Sequence, residues 1–420
     1  MSRPLVAVAA ADVPGLVAAL RAALHGGGAA VFPVPAGHPM HPGADAPASG
    51  TLVGEVDDRI AVVVETSGST AAPKRVALSA DALRASAAAT EHALGGAGRW
   101  VLALPGHYIA GLQVIVRALA GGTEPLVAPI DGFDPAGFAA VAAPLRRAHD
   151  RAYTSLVPVQ LARLVEAAEH DRGVREALAR FDRVLLGGQA APSGLVERAA
   201  ALGARVTRTY GSSETAGGCV YDGRPLDSVC VRVVDDLVEL SAPSLAEGYL
   251  AAPVGSPARV DLDRARTAIA FATDPDGTRW YRTGDLGSVD DEGRLRIRGR
   301  ADDVIISGGV KVALGEVERA VRAVDGLGDA VVVAVPDPEW GERPAVVTTG
   351  SAVAAARLAA ATDEAGLPPA ARPVRQRTLD ELPMLASGKP DRRAIAALMA
   401  DASEAPSRAT DDEHGRRDPS

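Results

Sequence analysis

Lysine is almost absent from this chain, although basic residues as a group are not. Of the 44 lysine and arginine residues, only Lys74, Lys311 and Lys389 are lysines. Lysine carries a compact point charge on a flexible stem, whereas the guanidinium of arginine is larger and planar. We therefore interpret each retained lysine as a candidate position where arginine is chemically unsuitable.

Cysteine and long apolar runs are also scarce. The two cysteines, Cys219 and Cys230, are too few for a disulfide framework or a zinc site, which favours a reducing cytoplasm. No apolar run approaches the ~20 residues that a membrane-spanning helix needs. The apolar run after Arg3 is short and is interrupted by Asp12, so it makes a poor signal peptide. We expect a cytoplasmic protein without a membrane span.

An excess of positive charge is lacking as well. The 420 residues carry a formal net charge of −9, which argues against a nucleic-acid surface, because such a surface requires clustered positive charge. A local pocket for a small anionic ligand is compatible with this charge. The 47% apolar and 23% charged residues are typical of a globular protein, and the length allows two or three domains.

Short apolar runs alternate with helix-like stretches between residues 60 and 220, which predicts an α/β fold. The first sixty residues offer a single helix, Val13–His25, and residues 35–50 are predicted to be a loop. Further on, the pattern changes to short strands and turns, among them strands Thr278–Tyr281 and Gly287–Val289 with a tight turn between them.

These changes of pattern predict how the chain is divided. The large N-terminal domain consists of α/β subdomains and a small β-rich subdomain, and a small α+β domain follows it. The predicted boundaries are residues 1–300 for the N-terminal domain, 301–400 for the C-terminal domain and 401–420 for a disordered tail that is polar, charged and poor in apolar residues.

A segment rich in glycine and hydroxyl groups follows the predicted strand at residue 60. Its small residues leave backbone N–H groups accessible, and its hydroxyls and one ammonium add donors, so it can cradle phosphates. It is not a Walker A loop, because the GxxxxGK[ST] pattern is absent and a strand follows. Taken alone, an ordinary surface loop explains it equally well. The candidate phosphate-binding residues are Thr66, Ser67, Gly68, Ser69, Thr70 and Lys74.

Two later segments combine residues that suit a nucleotide. Tyr210 offers a ring face for a purine, Gly211 leaves room for close backbone approach, and Glu214 can bind Mg²⁺, which prefers hard oxygen ligands beside phosphates. Asp285, in the predicted tight turn, can accept hydrogen bonds from both hydroxyls of a ribose. Each segment alone is also compatible with an ordinary turn.

The two remaining lysines lie close to glycines in the last third of the chain. Gly308 and Gly309 precede Lys311, and Lys389 follows Gly388. A lysine at the tip of a glycine-containing turn can reach into a cleft. Alone, each of these segments is a weak indication of function.

Together and in this order, the five segments resemble the adenylate-forming family, which includes acyl-CoA synthetases, luciferases and nonribosomal adenylation domains. The resemblance extends from Val62 to about Met399. It implies a large N-terminal domain and a small mobile C-terminal domain that rotates between two half-reactions. In the first, ATP and a carboxylate form an acyl-adenylate and pyrophosphate; in the second, the thiol of coenzyme A forms a thioester and releases AMP.

The resemblance also implies roles for single residues, with ATP, Mg²⁺ and coenzyme A as cofactors or co-substrates. The phosphate loop would hold the β- and γ-phosphates. The nucleotide residues would be Tyr210 and Gly211 at adenine, Ser213 at the α-phosphate, Glu214 at Mg²⁺, and Asp285 at the ribose with help from Arg300. The residues of the C-terminal region would be Asp302 at the hinge, Lys389 between carboxylate and α-phosphate, and Gly308, Gly309 and Lys311 near the pantetheine of coenzyme A.

Two features of the sequence depart from the family pattern. Leu314 stands where the family usually has proline, so this turn is expected to be looser. The phosphate loop begins near residue 66, although many relatives carry well over a hundred residues before it. The N-terminal subdomain is therefore expected to be abbreviated.

The carboxylate pocket is predicted from segments that are most similar to the o-succinylbenzoate–CoA ligases of menaquinone synthesis. The substrate of that subfamily has two carboxylates, and arginine suits bidentate recognition of the one that is not activated. Arg163 is the candidate, although a helix-surface arginine is nearly as compatible with the sequence. The other candidate pocket residues are His107, Tyr108, Gly188 and Gln189, where His107 is equally well explained as a structural loop residue.

Four functions stay open from the sequence. The favoured one is an o-succinylbenzoate–CoA ligase. The others are another short acyl- or aryl-CoA ligase, a stand-alone adenylation domain that loads a carrier protein, and a catalytically inactive nucleotide-binding protein, against which the complete motif set speaks. The expected partners are a small-molecule carboxylate, ATP and coenzyme A, with no nucleic acid and with a homo-oligomer as an open possibility.

Overall fold

A computed structural model describes residues 1–35, 37, 49–66, 73–130, 132–145, 151–192, 194–251, 258–385 and 388–401. The chain forms two compact units. The first comprises Met1–Asp302 with Ser387–Lys389, and the second comprises Asp303–Ala386 with the residues from Pro390 on. Among the described residues, no helix combines the length and the apolar character that crossing a membrane requires.

Strands and helices alternate along most of the first unit, and strands dominate its last part. The strands are β1 Ser2–Ala9, β2 Ala30–Val34, β3 Thr51–Asp57, β4 Ile60–Thr66, β5 Lys74–Ser79, β6 Arg99–Leu102, β7 Leu126–Val127, β8 Ala152–Leu156, β9 Arg183–Leu186, β10 Val206–Ser212, β11 Gly217–Tyr221, β12 Arg224–Pro225, β13 Cys230–Val234, β14 Leu237–Ser241, β15 Gly248–Tyr249, β16 Phe271–Thr273, β17 Arg279–Val289 and β18 Leu295–Arg300. The helices are α1 Val13–Leu24, α2 Ala80–Leu94, α3 Ile109–Ala120, α4 Pro135–Ala142, α5 Pro158–His170, α6 Arg172–Arg180, α7 Leu195–Ala201 and α8 Arg264–Ala270.

Two sheets of the first unit carry the predicted α/β alternation. One has six strands in the order β15-β5-β4-β2-β1-β3, and the other has seven in the order β12-β11-β10-β9-β8-β6-β7. In the second sheet β6 to β10 all pair in parallel. The predicted α/β class is confirmed.

Local sequence signals explain where the helices begin and end. Ser79 caps α2 by accepting a hydrogen bond from the backbone N–H of Ala82, and α2 ends at Gly95 in the left-handed conformation. Pro158 opens α5, where its missing N–H costs nothing. Helix α5 then buries an apolar stripe against the seven-stranded sheet, formed by Leu161, Leu164, Val165 and Ala168.

The sequence reading of the first sixty residues was incomplete. It found α1 but missed the strands β1, β2 and β3, which pair with one another and with β4. Alanine and proline are frequent in β1 and β2, and both residues have a low strand propensity. Of the loop predicted at residues 35–50, residue 36 and residues 38–48 lie outside the described residues.

The predicted tight turn around Asp285 was also wrong. The third sheet, ordered β13-β14-β17-β16 with β18 beside β17, contains a single strand β17 in place of the two expected short strands. Gly284 lies within β17 at φ +72°, and the pairing with β14 and β18 shifts in register nearby. Glycine and these shifts bend the strand without reversing it, so neighbouring strands on both sides stay paired.

The second unit is an α+β arrangement. Its sheet is ordered β20-β19-β22-β21 with β23 beside β22, and the described residues of this unit also form three α-helices. The elements are β19 Val304–Ser307, β20 Val310–Ala313, α9 Leu314–Arg322, β21 Val331–Asp337, β22 Gly341–Thr348, α10 Ala355–Glu364, β23 Arg375–Thr378 and α11 Arg392–Asp401. The predicted tail lies outside the described residues, except for Asp401, which ends α11.

Candidate active site

Several predicted site residues of the first unit follow parallel strands of the seven-stranded sheet. Parallel strands end at the same edge, and in open α/β sheets this edge is where ligands bind. His107 and Tyr108 follow β6, Gly188 and Gln189 follow β9, and Glu214 comes directly after β10. Segments that are far apart in the sequence therefore meet at a common surface.

Glu214 lies in a single 3₁₀ turn, Ser213–Thr215, and is only 6% exposed. The hydroxyl of Tyr249 donates a hydrogen bond to Glu214 Oε1 over 2.8 Å. Burial, followed by the charge of Glu214, raises the pKa of Tyr249, so this tyrosine keeps its proton and stays a donor. The carboxylate is therefore held in one orientation from the side of β15.

The backbone around Glu214 is held in an unusual shape. Ala216 adopts φ +51°, which is uncommon for a residue with a side chain. Its carbonyl oxygen accepts hydrogen bonds from Gln113 Nε2 at 2.7 Å and Ser86 Oγ at 2.9 Å, both buried. Sequence reasoning gave Gln113 and Ser86 no role; a polar residue on the apolar face of a helix is the signal that could have found them.

Gly211 shows why glycine is required beside Tyr210. The pairing of β10 with β11 shifts at these two residues, and a Cβ atom on Gly211 would lie 2.1 Å from the carbonyl oxygen of Gly217. Only glycine permits this close backbone approach.

Lys74 and Thr66 border the predicted phosphate loop. They pair across β4 and β5, and the Thr66 hydroxyl donates to the Lys74 carbonyl oxygen over 3.4 Å. The ammonium of Lys74 lies 5.6 Å from the centre of the Tyr249 ring, within the range of a cation–π contact. Tyr249 therefore contacts both Lys74 and Glu214. The predicted residues Ser67, Gly68, Ser69 and Thr70 lie outside the described residues.

Tyr210, Asp285 and Arg300 form a second connected group. The Tyr210 hydroxyl donates to Asp285 Oδ2 over 2.5 Å, and Arg300 Nη1 donates to Asp285 Oδ1 over 3.0 Å. Burial raises the pKa of Asp285, while the hydrogen bond from Tyr210 and the charge of Arg300 oppose this shift. Because a carboxylate can accept about four hydrogen bonds, Asp285 keeps acceptor capacity for a ligand.

Arg300 also connects this group to Asp302, where the main segment of the first unit ends. Its Nε donates to Asp302 Oδ1 over 3.0 Å, and its Nη1 donates to the Thr283 carbonyl oxygen over 2.9 Å. A small pocket lies among these groups. It is lined by Tyr210, Gly211, Ser212, Leu240, Tyr281, Thr283, Asp285 and Arg300.

Lys389 belongs to the first compact unit, although most residues on either side of it in the chain belong to the second. Part of its side chain is exposed, yet the surrounding protein partly desolvates the ammonium and lowers the pKa of Lys389. The charge of Asp285 opposes this shift. The charge of Glu214 also raises the pKa of Lys389, although less strongly. Residues with perturbed pKa values cluster at functional sites, so Lys389 is a candidate functional residue.

The residues predicted for the carboxylate pocket lie on three parts of the chain, after β6, after β9 and on α5. The rings of His107 and Tyr108 contact each other, with 4.1 Å between their centres, and burial raises the pKa of Tyr108. Gly188, at φ +86°, turns the chain away from β9 towards Gln189. Arg163 lies on the exposed side of α5, and among the described residues no hydrogen bond or ion pair joins it to another side chain.

The remaining predicted residues lie in the second unit. Gly308 and Gly309 form the turn between β19 and β20 at φ +57° and +80°, and Lys311 is exposed on β20. A Cβ atom on Gly308 would lie 2.5 Å from the Trp340 ring, so the turn requires glycine. Leu314, at the usual proline position, is buried at the start of α9.

Comparison with known proteins shows which family the chain resembles. The sequence model of the AMP-binding enzyme family matches residues 40–250, and the model of the C-terminal domain of AMP-binding enzymes matches residues 316–389. A Mycobacterium tuberculosis protein named as a probable 2-succinylbenzoate–CoA ligase is 37% identical over 395 residues, which is 92% of this chain and 95% of that protein.

Two further relatives extend the similarity. A 2-succinylbenzoate–CoA ligase of Lactococcus lactis is 28% identical over 79% of this chain and 70% of its own. The o-succinylbenzoate CoA synthetase of Bacillus subtilis, solved in complex with its acyl-adenylate intermediate, superposes with a TM-score of 0.65 at 26% identity, over 84% of this chain and 72% of that one. This chain therefore belongs to the adenylate-forming AMP-binding enzyme family.

Proposed function

We propose that this AMP-binding enzyme is an o-succinylbenzoate–CoA ligase of menaquinone synthesis. It activates o-succinylbenzoate with ATP as an acyl-adenylate and then transfers the acyl group to coenzyme A, releasing pyrophosphate and AMP. The observation that carries the substrate assignment is the similarity to the Mycobacterium tuberculosis relative, which extends over almost all of both chains. We expect the enzyme to act in the cytoplasm.

The nucleoside would occupy the pocket around Tyr210 and Asp285. The face of the Tyr210 ring would stack on adenine, and the backbone at Gly211 can come close to the base because no side chain intervenes. The acceptor sites of Asp285 that Tyr210 and Arg300 leave available would take the ribose hydroxyls. Arg300 neutralises the carboxylate that does this.

Glu214 would hold Mg²⁺ together with the phosphates of ATP. Mg²⁺ is usually bound through one or two carboxylates and substrate phosphates, and a buried carboxylate at the end of β10 fits this requirement. When bound, Mg²⁺ would neutralise charge on the phosphates. Tyr249 fixes one oxygen of Glu214, so the other can face the ligand.

The three-residue set Lys74, Ser213 and Lys389 would stabilise charge in the first step. A carboxylate oxygen of the substrate attacks the α-phosphorus, a P–O bond forms, and pyrophosphate leaves. Negative charge develops on the α-phosphate oxygens, where oriented cations and donors lower the barrier. Lys389 would bridge the substrate carboxylate and the α-phosphate, and Lys74 would contact the departing phosphates.

The substrate's second carboxylate would be recognised at the carboxyl edge of the same sheet. Tyr108 would form a wall of this pocket, with His107, Gly188 and Gln189 nearby, and Arg163 is the candidate partner for the carboxylate. An arginine that is exposed and has no bonded partner in the described part of the chain is available for a bidentate anion.

In the second step, the thiol of coenzyme A attacks the acyl carbonyl and AMP leaves with the electrons of the broken bond. AMP is a good leaving group, whereas the oxygen of a free carboxylate is a poor one, which is why adenylation must come first. The Gly308–Gly309 turn and Lys311 would approach the pantetheine, and Asp302 would act as the hinge.

The test is a panel of carboxylates supplied to the purified full chain with ATP and Mg²⁺, with and without coenzyme A. Pyrophosphate and thioester are measured separately. We expect o-succinylbenzoate to give both, and to be preferred over benzoate, short fatty acids and amino acids. Pyrophosphate release with an amino acid but no thioester would indicate a carrier-loading domain, and thioester from another acid alone would indicate a different CoA ligase.

A further inference from the structure

We propose that Glu318 is a positioning residue for Lys389: by binding Arg392 it fixes the start of α11 and, through it, the short segment that presents Lys389 to the reaction. This inference rests on the proposed function, because it assigns Lys389 to the adenylation step. Glu318 touches neither substrate nor nucleotide in this proposal and acts only through Arg392.

Glu318 occupies a position where a helix of this kind normally places an apolar residue. Helix α9 buries the stripe Leu314, Val317 and Val321, and Glu318 lies within it at only 6% exposure. Burying a carboxylate is costly unless partners satisfy its charge and its lone pairs. Such a residue therefore needs a reason to be there.

The partners of Glu318 satisfy both of its oxygens. Oε1 forms an ion pair with Arg322 Nη2 at 2.8 Å. Oε2 accepts from Arg392 Nη2 at 2.5 Å and from the Val332 backbone N–H at 3.0 Å. The carboxylate thus joins α9, β21 and α11 at one point.

Arg392 is fixed by more than one bond. While Nη2 binds Glu318, Nη1 donates to the Val332 carbonyl oxygen over 2.8 Å. Two bonds from one planar guanidinium define its orientation, which a lysine ammonium could not reproduce. The first residue of α11 is therefore fixed in orientation, and its charge is balanced by that of Glu318.

Lys389 lies three residues before this anchor, on a segment that is closed at its base. Met384 and Pro390 form an isolated β-bridge, and the Asp391 N–H donates to the Pro383 carbonyl oxygen over 2.8 Å. Together with the bonds of Arg392, these contacts fix the backbone directly after Lys389. A lysine side chain is long and flexible, so its charge is placed by the backbone that carries it.

Stability alone does not explain three charged groups at this place. Replacing a buried ion-pair group by well-packed apolar residues is often neutral or stabilising. What an apolar cluster lacks is a directional contact, and misplacing a catalytic group by about 1 Å can cost on the order of a hundredfold in rate. The geometry points to orientation of the Lys389 segment as the function of the Glu318–Arg392 contact.

The experiment compares the two half-reactions in Glu318→Gln and Arg392→Lys. Adenylation is measured as pyrophosphate release from o-succinylbenzoate and ATP, and the second step as thioester formation from supplied acyl-adenylate and coenzyme A. We expect adenylation to fall at least about tenfold in both variants and thioester formation to change less than about twofold. Glu316→Gln, two residues from Glu318, and Arg393→Lys, one residue from Arg392, are the matched controls and should leave both steps unchanged.

The second step also reports on folding, because it is assigned to the β19–β20 turn of the same unit. An equal loss of both steps, or a loss no greater than in the controls, would overturn the inference. A wild-type enzyme that releases no pyrophosphate with o-succinylbenzoate would instead overturn the proposed function, so the two failures are distinguishable. Thermal unfolding of each variant identifies any that do not fold. In that case the more conservative Glu318→Asp is tested instead, and a loss of adenylation without an equal loss of thioester formation supports the inference.

Discussion

The residues proposed to bind the nucleotide and those proposed to bind the carboxylate differ in how their side chains are held. On the nucleotide side, Glu214 is fixed by Tyr249, and Asp285 is fixed by Tyr210 and Arg300. On the carboxylate side, Arg163 is exposed and, among the described residues, has no bonded side-chain partner.

This difference indicates which binding groups the fold orients before the substrates bind. Charge that develops on phosphate must meet donors that are already oriented, because reorganising them during the reaction raises the barrier. Binding of the acyl group develops no such charge, so its contacts require less strict orientation before the reaction. The nucleotide side should therefore respond strongly to small changes, and the carboxylate side weakly.

The largest effect is expected for Lys389→Arg. The planar guanidinium cannot replace a point charge between the reacting oxygens, so pyrophosphate release should fall about a hundredfold or more. Thioester formation from supplied acyl-adenylate should stay within a few-fold of the wild type, because the proposed role of Lys389 has ended by then. Single-turnover assays of each step provide the measurement, and equal losses in both would contradict the assignment.

A smaller loss is expected for Tyr249→Phe, which removes one hydroxyl and keeps the ring. A hydrogen bond to a charged group contributes roughly 1.5–3 kcal/mol, so kcat/KM for Mg²⁺-ATP should fall about tenfold or more. Tyr221→Phe is the matched control, since its buried hydroxyl pairs with Thr90 at 2.9 Å. If both variants behave alike in Mg²⁺ titrations of pyrophosphate release, Tyr249 does not orient Glu214.

Arg163→Ala probes the open side of the site. We expect the KM for o-succinylbenzoate to rise by up to about tenfold, with KM for ATP unchanged, because a single exposed charge-assisted contact is lost. Arg172→Ala removes another helix-surface arginine, one that pairs with Glu176, and should change neither constant. Identical kinetics for the two variants would make Arg163 an ordinary surface residue.

The smallest effect concerns pH. Because the pKa of Lys389 is lowered, its ammonium loses the proton at a lower pH than an ordinary lysine would. The adenylation rate should fall by about half when the pH reaches that pKa, while the thioester step from supplied acyl-adenylate lacks this alkaline limb. Rate profiles of both steps over the same pH range provide the check; a shared limb would show that Lys389 is not its cause.

Much of the architecture could be predicted from local pattern. Alternating apolar runs gave the α/β class, Ser79 and Pro158 marked helix starts, and α5 showed its buried stripe directly. These features depend on residues within one or two turns of each other, and such short-range preferences are visible in the sequence. The failures have the same origin: β1 and β2 contain residues of low strand propensity, and only their pairing makes them strands.

The site shows a similar limit. The sequence supplied Tyr210, Glu214, Asp285 and Lys389 as separate hypotheses, each of which an ordinary turn could explain. Tyr249 could not be found, because its function depends on a partner 35 residues away. The turn expected at Asp285 became a bent strand, since β14 and β18 pair on both sides of it.

The sequence by itself determined which chemical groups this protein has and their order along the chain, and the scarcity of lysine marked Lys74 and Lys389 as unusual. Only the tertiary structure decided which of these groups meet. The bond between Tyr210 and Asp285 spans 75 residues, and that between Glu318 and Arg392 spans 74. Contacts at such separations are set by strand order and register, which depend on the packing of the whole unit and not on any local run of residues.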